Sequence, residues 1–405
     1  MNTLDAKASG QRLVSVDALR GFDMFWIVGA ESLVQAFNRM SPTPVSRFLA
    51  NQLEHAEWQG FRFYDLIFPL FLFIVGVSIV LSMDRLLASS ARKGALARIA
   101  RRSVLLFVLG VFYYGGVARA WPDVQLAGVL PRIAICYFIA ATLYVLLPRK
   151  GIVVATVLCL VGYWAALMFV PFPDIRLAHG TLGKKGTQAD AKAPPELLAG
   201  ASGTVSGTFE EGHNLAHYVD FRWLPGRKRN LYYTNEGLLS TTAAVATTLL
   251  GVMAGWLLTS TRWSGRQKVA WLLAAGAAGV ALGMLWGLQF PIIKRLWTSS
   301  YVLLAGGYSA VLLGLFYLVV DVWQVRAWCR PLVWMGTNAI TIYLVANILG
   351  GFNSIAVRLA GGDVQQFVDA HIVKGGGDLL IALVGMALAF WFVGFLYQRK
   401  IFLRV

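Results

Sequence analysis

The sequence predicts an all-α protein that crosses a membrane many times. Apolar residues make up 57% of its 405 residues, whereas charged residues make up only 14%. A soluble domain carries roughly 25% charged residues, so this chain has too few to cover a water-facing surface. Apolar runs of about 20 residues, enough to cross a bilayer as helix, recur along it. No run shows the period of two that a transmembrane barrel requires, so a helical bundle is expected.

About ten spans account for the apolar runs. They cover residues 19–38, 62–83, 99–118, 126–147, 151–170, 236–258, 268–289, 298–322, 332–350 and 378–398. An eleventh span is left open, because 332–350 is polar in places and 350–377 is rich in glycine. We expect a single membrane domain over 1–405 with one long loop, 171–235, inserted between spans five and six.

The long loop 171–235 is too poor in apolar periodicity to form an independent domain. The loop contains Pro194-Pro195 and the small-residue run 199–204, which predict a flexible segment. Residues 1–16 lack an apolar core, so no cleavable signal peptide is expected and the first span serves as the insertion signal. The three cysteines form no CxxC pair, which predicts packing residues rather than a disulfide framework.

Lysine and arginine are unequally divided between the two sets of connections. The termini together with 84–102, 148–150, 259–268 and 323–331 hold 18 of them, and the short loops 39–62, 118–125, 289–297 and 350–377 hold 8. Because basic connections stay in the cytoplasm, both termini are predicted to be cytoplasmic. The segment around His55 and the loop 171–235 are then extracytoplasmic.

The net charge of +16 is explained by these membrane-flanking residues and does not indicate nucleic-acid binding. The densest cluster comprises Arg92, Lys93, Arg98, Arg101 and Arg102. Two interpretations of it remain open. Anionic lipid headgroups are the usual partners of basic residues beside a span, and the phosphates of a large anionic cofactor such as a nucleotide fit equally in charge.

A few ionisable residues lie inside the predicted spans, where each costs about 2.5–3.5 kcal/mol on insertion scales. They include Arg20, Asp23, Glu31, Asp65 and Arg132. Pairing between helices explains such residues in part, but a catalytic site or a translocation path for a sugar explains them as well. A transporter or flippase for a sugar or lipid-linked sugar is therefore the alternative function.

His55 stands in LEHAEWQGFRFYDLIFP (53–69), between two glutamates and directly ahead of an apolar run. A histidine with an unperturbed pKa near 6.5 accepts a proton at neutral pH, and Glu54 or Glu57 can orient its ring. The competing interpretation is an amphipathic linker at the membrane surface, with Trp58 in an aromatic belt. His213 and His217 have metal-ligand spacing but no HExxH pattern, so no metal is expected.

Several blocks occur in one collinear order: RLVSVDALRGFDMFWIVG (12–29), HAEWQGFRFYDLIFPLFLFIVGVSIVLS (55–82), GVLPRIAICYF (128–138), HYVDFRWLPGRKRNLYYTNEGLLST (217–241), FPIIKRLWTSSYVLL (290–304), MGTNAITIY (335–343) and the terminal RKIFLRV. Through them the sequence resembles the heparan-α-glucosaminide N-acetyltransferase family of transmembrane acyltransferases, in particular its bacterial members. The resemblance extends through essentially all the spans.

The resemblance implies that cytoplasmic acetyl-CoA donates its acetyl group to an amino sugar or glycan on the outer face. His55 corresponds to the active-site histidine, as general base or transient acetyl carrier, and Asp65 to the aspartate of DLxFP. Trp58 and Glu54 are expected near the sugar. Lys294, Trp297 and Asn338 occupy recurrent motif positions and are grouped with the substrate-binding residues. The implied contacts for CoA phosphates are Arg98, Arg101, Arg102 and Arg132.

One position departs from the animal lysosomal members, which have an asparagine where this chain has Glu31. A carboxylate there can bind an ammonium group or act as a second base, so Glu31 joins the catalytic candidates and the lysosomal glycan is not carried over. N- and O-acylation both stay open. The resemblance further implies a bacterial inner membrane protein surrounded by lipid and assembled as a homodimer.

Overall fold

A computed structural model describes residues 13–89, 92–181, 188, 197–201, 203–348 and 350–403. Lys7 and Arg12, which entered the charge count, and the Pro194-Pro195 pair lie outside these residues. The described chain is mostly helical, which confirms the all-α prediction. The strands β1 (Phe172–Pro173) and β2 (Thr204–Val205) run antiparallel, and an isolated antiparallel bridge joins Glu210 and His213.

Sixteen α-helices, numbered in chain order, form the described fold. They are α1 Val14–Phe25, α2 Glu31–Met40, α3 Pro44–Gln52, α4 Ile67–Ser89, α5 Arg92–Tyr113, α6 Val129–Leu146, α7 Arg149–Phe169, α8 Leu215–Trp223, α9 Leu238–Thr259, α10 Gly265–Gly287, α11 Ser299–Phe316, α12 Arg330–Thr337, α13 Ala339–Ile348, α14 Phe352–Ala360, α15 Asp363–His371 and α16 Gly376–Gln398. Two π-helical segments, Trp26–Ala30 and Tyr317–Val322, follow α1 and α11.

Seven segments of the described chain are long and apolar enough to cross a membrane: Phe63–Asp84, Val129–Leu146, Arg149–Phe169, Leu238–Thr259, Gly265–Gly287, Ser299–Val322 and Gly376–Gln398. The pair α12 and α13 makes an eighth if its two halves, bent by 75°, count as one span. The protein is therefore an integral membrane protein with several spans. By length and composition the number is seven or eight rather than the predicted ten.

With the bent pair counted as a span, two predicted spans, 19–38 and 99–118, account for the difference. The π-helical segment Trp26–Ala30 divides 19–38 between helices of 12 and 10 residues, each too short to cross a bilayer alone. Helix α5 overlaps the predicted span 99–118 as far as Tyr113. The first half of this helix carries five basic residues. Both regions are helical, but neither is an uninterrupted apolar span.

Helix α9 lies at the centre of the bundle, with 72% of its apolar window buried, whereas α7 and α10 bury only 28% and 22% and face outward. Where α9 crosses α4, the backbones of the two helices lie close together. A Cβ atom at Gly251 would lie 1.9 Å from the carbonyl oxygen of Phe73, and one at Gly76 would lie 1.9 Å from that of Thr248. The two helices therefore need glycine at their crossing.

Replacing Gly251 with alanine should reduce the yield of folded protein and its thermal stability. Alanine gains about 1 kcal/mol of helix propensity, but moving α9 off the carbonyl of Phe73 costs about 1–3 kcal/mol as overpacking and disturbs the whole centre. Thermal unfolding in detergent checks this against Gly162→Ala, since a Cβ atom at Gly162 meets nothing within 4 Å. Equal stability of the two variants would contradict the close crossing.

The segment 171–235 contains more structure than a flexible loop. It supplies the β1–β2 pair, helix α8 and a small apolar cluster built around Ile175, Phe221 and Tyr233. The run 199–204, predicted to be flexible, ends in β2, and residue 202 within it lies outside the described part of the chain. The sequence did not predict this structure, because a single short helix and two-residue strands give no repeating hydrophobic pattern.

Candidate active site

Several hydrogen bonds hold Asp65 in place in addition to its contact with His55. Its Oδ2 atom accepts hydrogen bonds from the backbone N–H groups of Ala56 (3.2 Å) and Arg62 (3.0 Å), which closes the loop between α3 and α4. Tyr301 on α11 donates to the carbonyl oxygen of Asp65 at 2.7 Å. The side chain is completely buried. Its remaining oxygen, Oδ1, lies 2.9 Å from Nδ1 of His55.

His55 is the half-exposed member of this pair, with 49% of its side chain accessible. An ionised carboxylate only accepts hydrogen bonds, so the Nδ1 atom of His55 donates to Asp65 and Nε2 carries the lone pair. The ring of Tyr64 packs beside the imidazole at 4.9 Å between centroids. The bond to Asp65 thus favours the tautomer of His55 that has its lone pair on Nε2.

Lys294 reaches the same pair from the connection that precedes α11. Its Nζ atom lies 2.9 Å from Nδ1 and 3.3 Å from Nε2 of His55, and 3.4 Å from Oδ1 of Asp65. The backbone N–H of Gly60 donates to the carbonyl of Ile292 at 2.9 Å, which joins the two loops. Burial lowers the pKa of Lys294 to about 8, although the charge of Asp65 opposes this shift.

A cavity of about 470 Å³ opens beside His55 and Lys294. Its polar rim is formed by His55, His179, Arg229, Glu236, Lys294 and Arg295, and its inner wall by apolar residues that include Met24, Ile27, Phe68, Phe71, Ile133 and Ile340. The inner wall comes from α1, α4, α6, α13 and the π-helical segment after α1. The cavity therefore leads from a charged mouth into the apolar interior of the bundle.

The segment 171–235 is fastened to the rim through Glu211. Its Oε1 atom accepts from Arg295 at 2.8 Å and lies 3.1 Å from Nδ1 of His179 and 3.2 Å from the hydroxyl of Tyr233. The ring of Tyr233 stacks on His217 at 3.7 Å. Burial lowers the pKa of His217 to about 3, so this ring stays neutral and serves packing.

The two histidines once considered for metal spacing are bound to other partners. His213 lies 2.7 Å from a carboxylate oxygen of Asp174, and His217 accepts from the backbone N–H of Gly212 at 3.0 Å. Helix α8 begins only at Leu215, so the two do not share one helical face as i, i+4 spacing would require. Across the described ranges no three His, Cys, Asp or Glu side chains converge as metal ligands would.

Of the predicted substrate-binding residues, Lys294 and Trp297 line the cavity, but the others lie elsewhere. Glu54 is exposed and pairs with Arg62 at 3.4 Å. Trp58 donates its indole N–H to the carbonyl of Phe209 at 2.8 Å and so ties the long segment to the His55 loop. Asn338 is buried at the bend between α12 and α13 and donates to Trp334.

Glu31, the third catalytic candidate, lies in a second pocket between α2, α14, α15 and α16. It does not bond to His55, but the charges of Glu31, His55 and Glu54 are close enough to interact. The structure therefore joins His55, Asp65 and Lys294 in one cluster and places Glu31 beside it.

The predicted phosphate contacts do not form one site. Arg98 and Arg101 are exposed on α5, and Arg102 stacks over the ring of Tyr137 at 4.7 Å. Arg132 is buried on α6, donates to the carbonyl of Asn235 at 3.0 Å, and lies 5.0 Å over the ring of Trp297. Arg132 thus fastens the start of α9 and is separate from the basic cluster.

Sequence reasoning missed most of the rim. Arg229 and Glu236 lie in the quoted block 217–241 and Arg295 lies beside Lys294 in FPIIKRLWTSS, but no pattern in these blocks singles them out. Glu211, which accepts a hydrogen bond from Arg295 at the rim, lies outside every quoted block. Tyr64, which packs on His55, lies inside the quoted HAEWQG–DLIFP block but has no spacing that predicts the contact.

Comparison with known proteins supports the resemblance. A family profile described as a domain of unknown function (DUF5009) matches residues 12–175. Heparan-alpha-glucosaminide N-acetyltransferase of Mus musculus is 28% identical over 385 residues, and that of Homo sapiens is 28% identical over 388 residues. Each alignment covers 87% of this chain and 56% of the relative, so the chain spans about half the length of the curated relatives it matches. The predicted resemblance is thereby confirmed: through most of its length this membrane protein is similar to heparan-alpha-glucosaminide N-acetyltransferases.

Proposed function

We propose that the protein transfers the acetyl group of cytoplasmic acetyl-CoA to the amine of an amino sugar or glycan on the extracytoplasmic side. The observation that carries the proposal is the His55–Asp65–Lys294 cluster at the mouth of a cavity that reaches into the bundle. The names of the relatives supply the reaction class, and the cluster supplies groups suited to it.

His55 is the general base of the proposed reaction. The amine nitrogen attacks the thioester carbonyl, a C–N bond forms and the C–S bond breaks. Nε2 of His55 takes a proton from the nitrogen and returns it to the departing CoA sulfur. Asp65, bonded to Nδ1, stabilises the imidazolium that exists between these two proton transfers.

Lys294 supplies the positive charge for the tetrahedral oxyanion. Its ammonium group is held between His55 and the buried Asp65, and little reorganisation is needed to reach an oxygen beside Nε2. The amine enters between Nε2 and the thioester, so Nζ moves from Nε2 to the acetyl oxygen when both substrates are bound.

The cavity suits the acyl arm of CoA, and α5 connects it to the basic cluster. The arm is long and only moderately polar, which fits the apolar inner wall. At the outer end of α5, Tyr113 stacks on Tyr343 of the cavity wall at 4.7 Å, and Arg98, Arg101 and Arg102 lie near its other end. We propose that these three arginines bind the CoA phosphates. Because an α-helix rises by about 1.5 Å per residue, the length of α5 sets the distance between these arginines and the cavity.

The transfer proceeds either directly or through an acetyl group carried on His55. Both routes use Nε2, so the geometry is compatible with each. Incubation with labelled acetyl-CoA in the absence of acceptor separates them: label bound to the protein supports the carried acetyl group, and normal turnover without such label excludes it.

The test of the function is consumption of labelled acetyl-CoA by the purified full chain in lipid nanodiscs with glucosamine as acceptor. We expect N-acetylglucosamine and free CoA in equal amounts. Absence of acetyl-CoA binding would overturn the enzyme assignment. Movement of a sugar across proteoliposomes without acetyl-CoA consumption would instead support the transporter.

The orientation follows the proposed reaction. We place both termini and the basic cluster on the cytoplasmic side of a bacterial inner membrane. His55 and the segment 171–235 are then on its outer side. The basic residues contact anionic lipid where CoA does not cover them. A homodimer is the proposed assembly, and its mass in nanodiscs tests it.

Activity should fall as the pH rises through about 8, because the Lys294 pKa lies there and only its ammonium form stabilises an oxyanion. Well below pH 8 the ammonium form of Lys294 is complete, so Lys294 should cause no further change in kcat. Lys294→Arg keeps the charge at high pH and should move the alkaline limb upward, at a reduced kcat. Rate profiles from pH 6 to 10 at saturating substrates check this. An unchanged alkaline limb in Lys294→Arg would exclude Lys294 as its source.

A further inference from the structure

The pocket that contains Glu31 is separate from the cavity beside His55 and has a volume of about 310 Å³. Polar side chains from four helices line it: Glu31, Ser32, Gln35, Arg39, Gln365 and Asp378, together with Asn353 and a few apolar residues. Mixed acids, amides and a guanidinium are the groups that recognise hydroxyl-rich ligands. The volume is at the lower end for a ligand site and suits one sugar ring.

The charges inside this pocket leave one carboxylate uncompensated. Arg39 donates to Asp378 at 3.0 Å, and Gln365 donates to the other oxygen of the same carboxylate at 3.0 Å. Glu31, by contrast, has no hydrogen-bonding or ion-pair partner among the residues that the structure describes. The lining therefore carries one net negative charge, which favours a cationic ligand.

The pocket also lies beside the proposed catalytic cluster. Glu31 interacts electrostatically with His55 and Glu54. Gln35, one helical turn after Glu31, donates to the carbonyl of Ala50 on α3, the helix that leads into the His55 loop. A group bound at Glu31 is thus next to the loop that presents Nε2.

We propose that this pocket binds the acceptor, an amino sugar whose ring lies between α14 and α16. Its ammonium group pairs with the Glu31 carboxylate and, after losing a proton, the nitrogen attacks the thioester from beside Nε2 of His55. The inference rests on the proposed function and names the acceptor subsite for it. The ammonium carries three protons and the amide product keeps one. Of the other two, one leaves to the outer solvent and one passes through His55 to the CoA sulfur.

The test compares Glu31→Gln with wild-type full-length protein, using glucosamine as the amine and glucose as a neutral competitor. We expect the KM for glucosamine to rise by about 10- to 100-fold, the effect of losing a charge-assisted bond. The KM for acetyl-CoA and the inhibition constant of glucose should not change. Glu31→Asp should recover part of the glucosamine affinity, and Asp363→Asn, which removes an exposed acid on α15, should behave as wild type.

A second variant tests the pocket by shape. Val357 is exposed and lines the pocket, so Val357→Trp should fold and should raise the KM for glucosamine by obstructing the site. Unchanged glucosamine KM values in both variants, or equal weakening of glucosamine and glucose by Glu31→Gln, would overturn the proposal. If wild type transfers no acetyl group, equilibrium dialysis of labelled glucosamine with the same variants still decides whether the pocket binds an amine.

Discussion

Replacing His55 with alanine should lower kcat for acetyl transfer by about 10²- to 10⁴-fold, the range that a general base contributes. The reason is geometric: Nε2 of His55 is the acceptor that Asp65 orients, and the neighbouring Lys294 can donate but not accept while it is charged. Because the side chain is half exposed and contributes little packing, the variant should fold normally.

Single-turnover release of CoA, with acetyl-CoA binding measured separately, distinguishes lost chemistry from lost binding. Glu57→Ala provides a matched control, since Glu57 is a neighbour of His55 outside the cavity lining. A His55→Ala protein that releases CoA with glucosamine at the wild-type rate would remove His55 from the proposed reaction.

Asp65→Asn should reduce both activity and stability. Asparagine keeps the shape but removes the charge that holds the His55 tautomer, and loss of that orienting carboxylate in a comparable arrangement costs about 10⁴-fold in kcat. It also leaves Lys294, 3.4 Å away, without its counter-charge. Breaking a buried pair in this way costs about 3–5 kcal/mol, so the melting temperature should fall as well.

The pH profile separates this effect from simple unfolding. Asp65 raises the pKa of Lys294 against the effect of burial. Without the carboxylate the Lys294 pKa drops below about 8, and the alkaline limb of any residual activity should move to lower pH. A destabilised protein whose alkaline limb stays in place would show that Asp65 supports the fold without acting on Lys294.

The helical class was predictable because bilayer length and apolar composition are properties of single segments. The interruption at Trp26–Ala30 and the 75° bend between α12 and α13 were not, since each depends on packing against other helices. His55 and Asp65 are ten positions apart and share one motif, so their pairing could be expected once the motif was recognised.

Lys294 is a different case, because 239 positions separate it from His55. Its place near the site came only from the resemblance of the LWTSS block, and its contact with the histidine came from the fold. The Glu31 pocket shows the same limit. Gln35 follows Glu31 by one helical turn, so both lie on one face of α2 and line the pocket. The helices α14, α15 and α16 that complete the pocket are more than 300 positions further along, beyond the range of any periodic pattern.

The hydrogen bond from Tyr301 to Asp65 has a consequence for biosynthesis. Helices enter the membrane in chain order, so His55 and Asp65 are inserted long before Lys294 and α11 leave the ribosome. A nascent chain that ends before residue 290 holds the histidine and the carboxylate but neither the cation nor the tyrosine that fixes them. We expect such a truncated chain to be unable to attack acetyl-CoA, so that thioester chemistry begins only after the later helices have closed around the earlier ones.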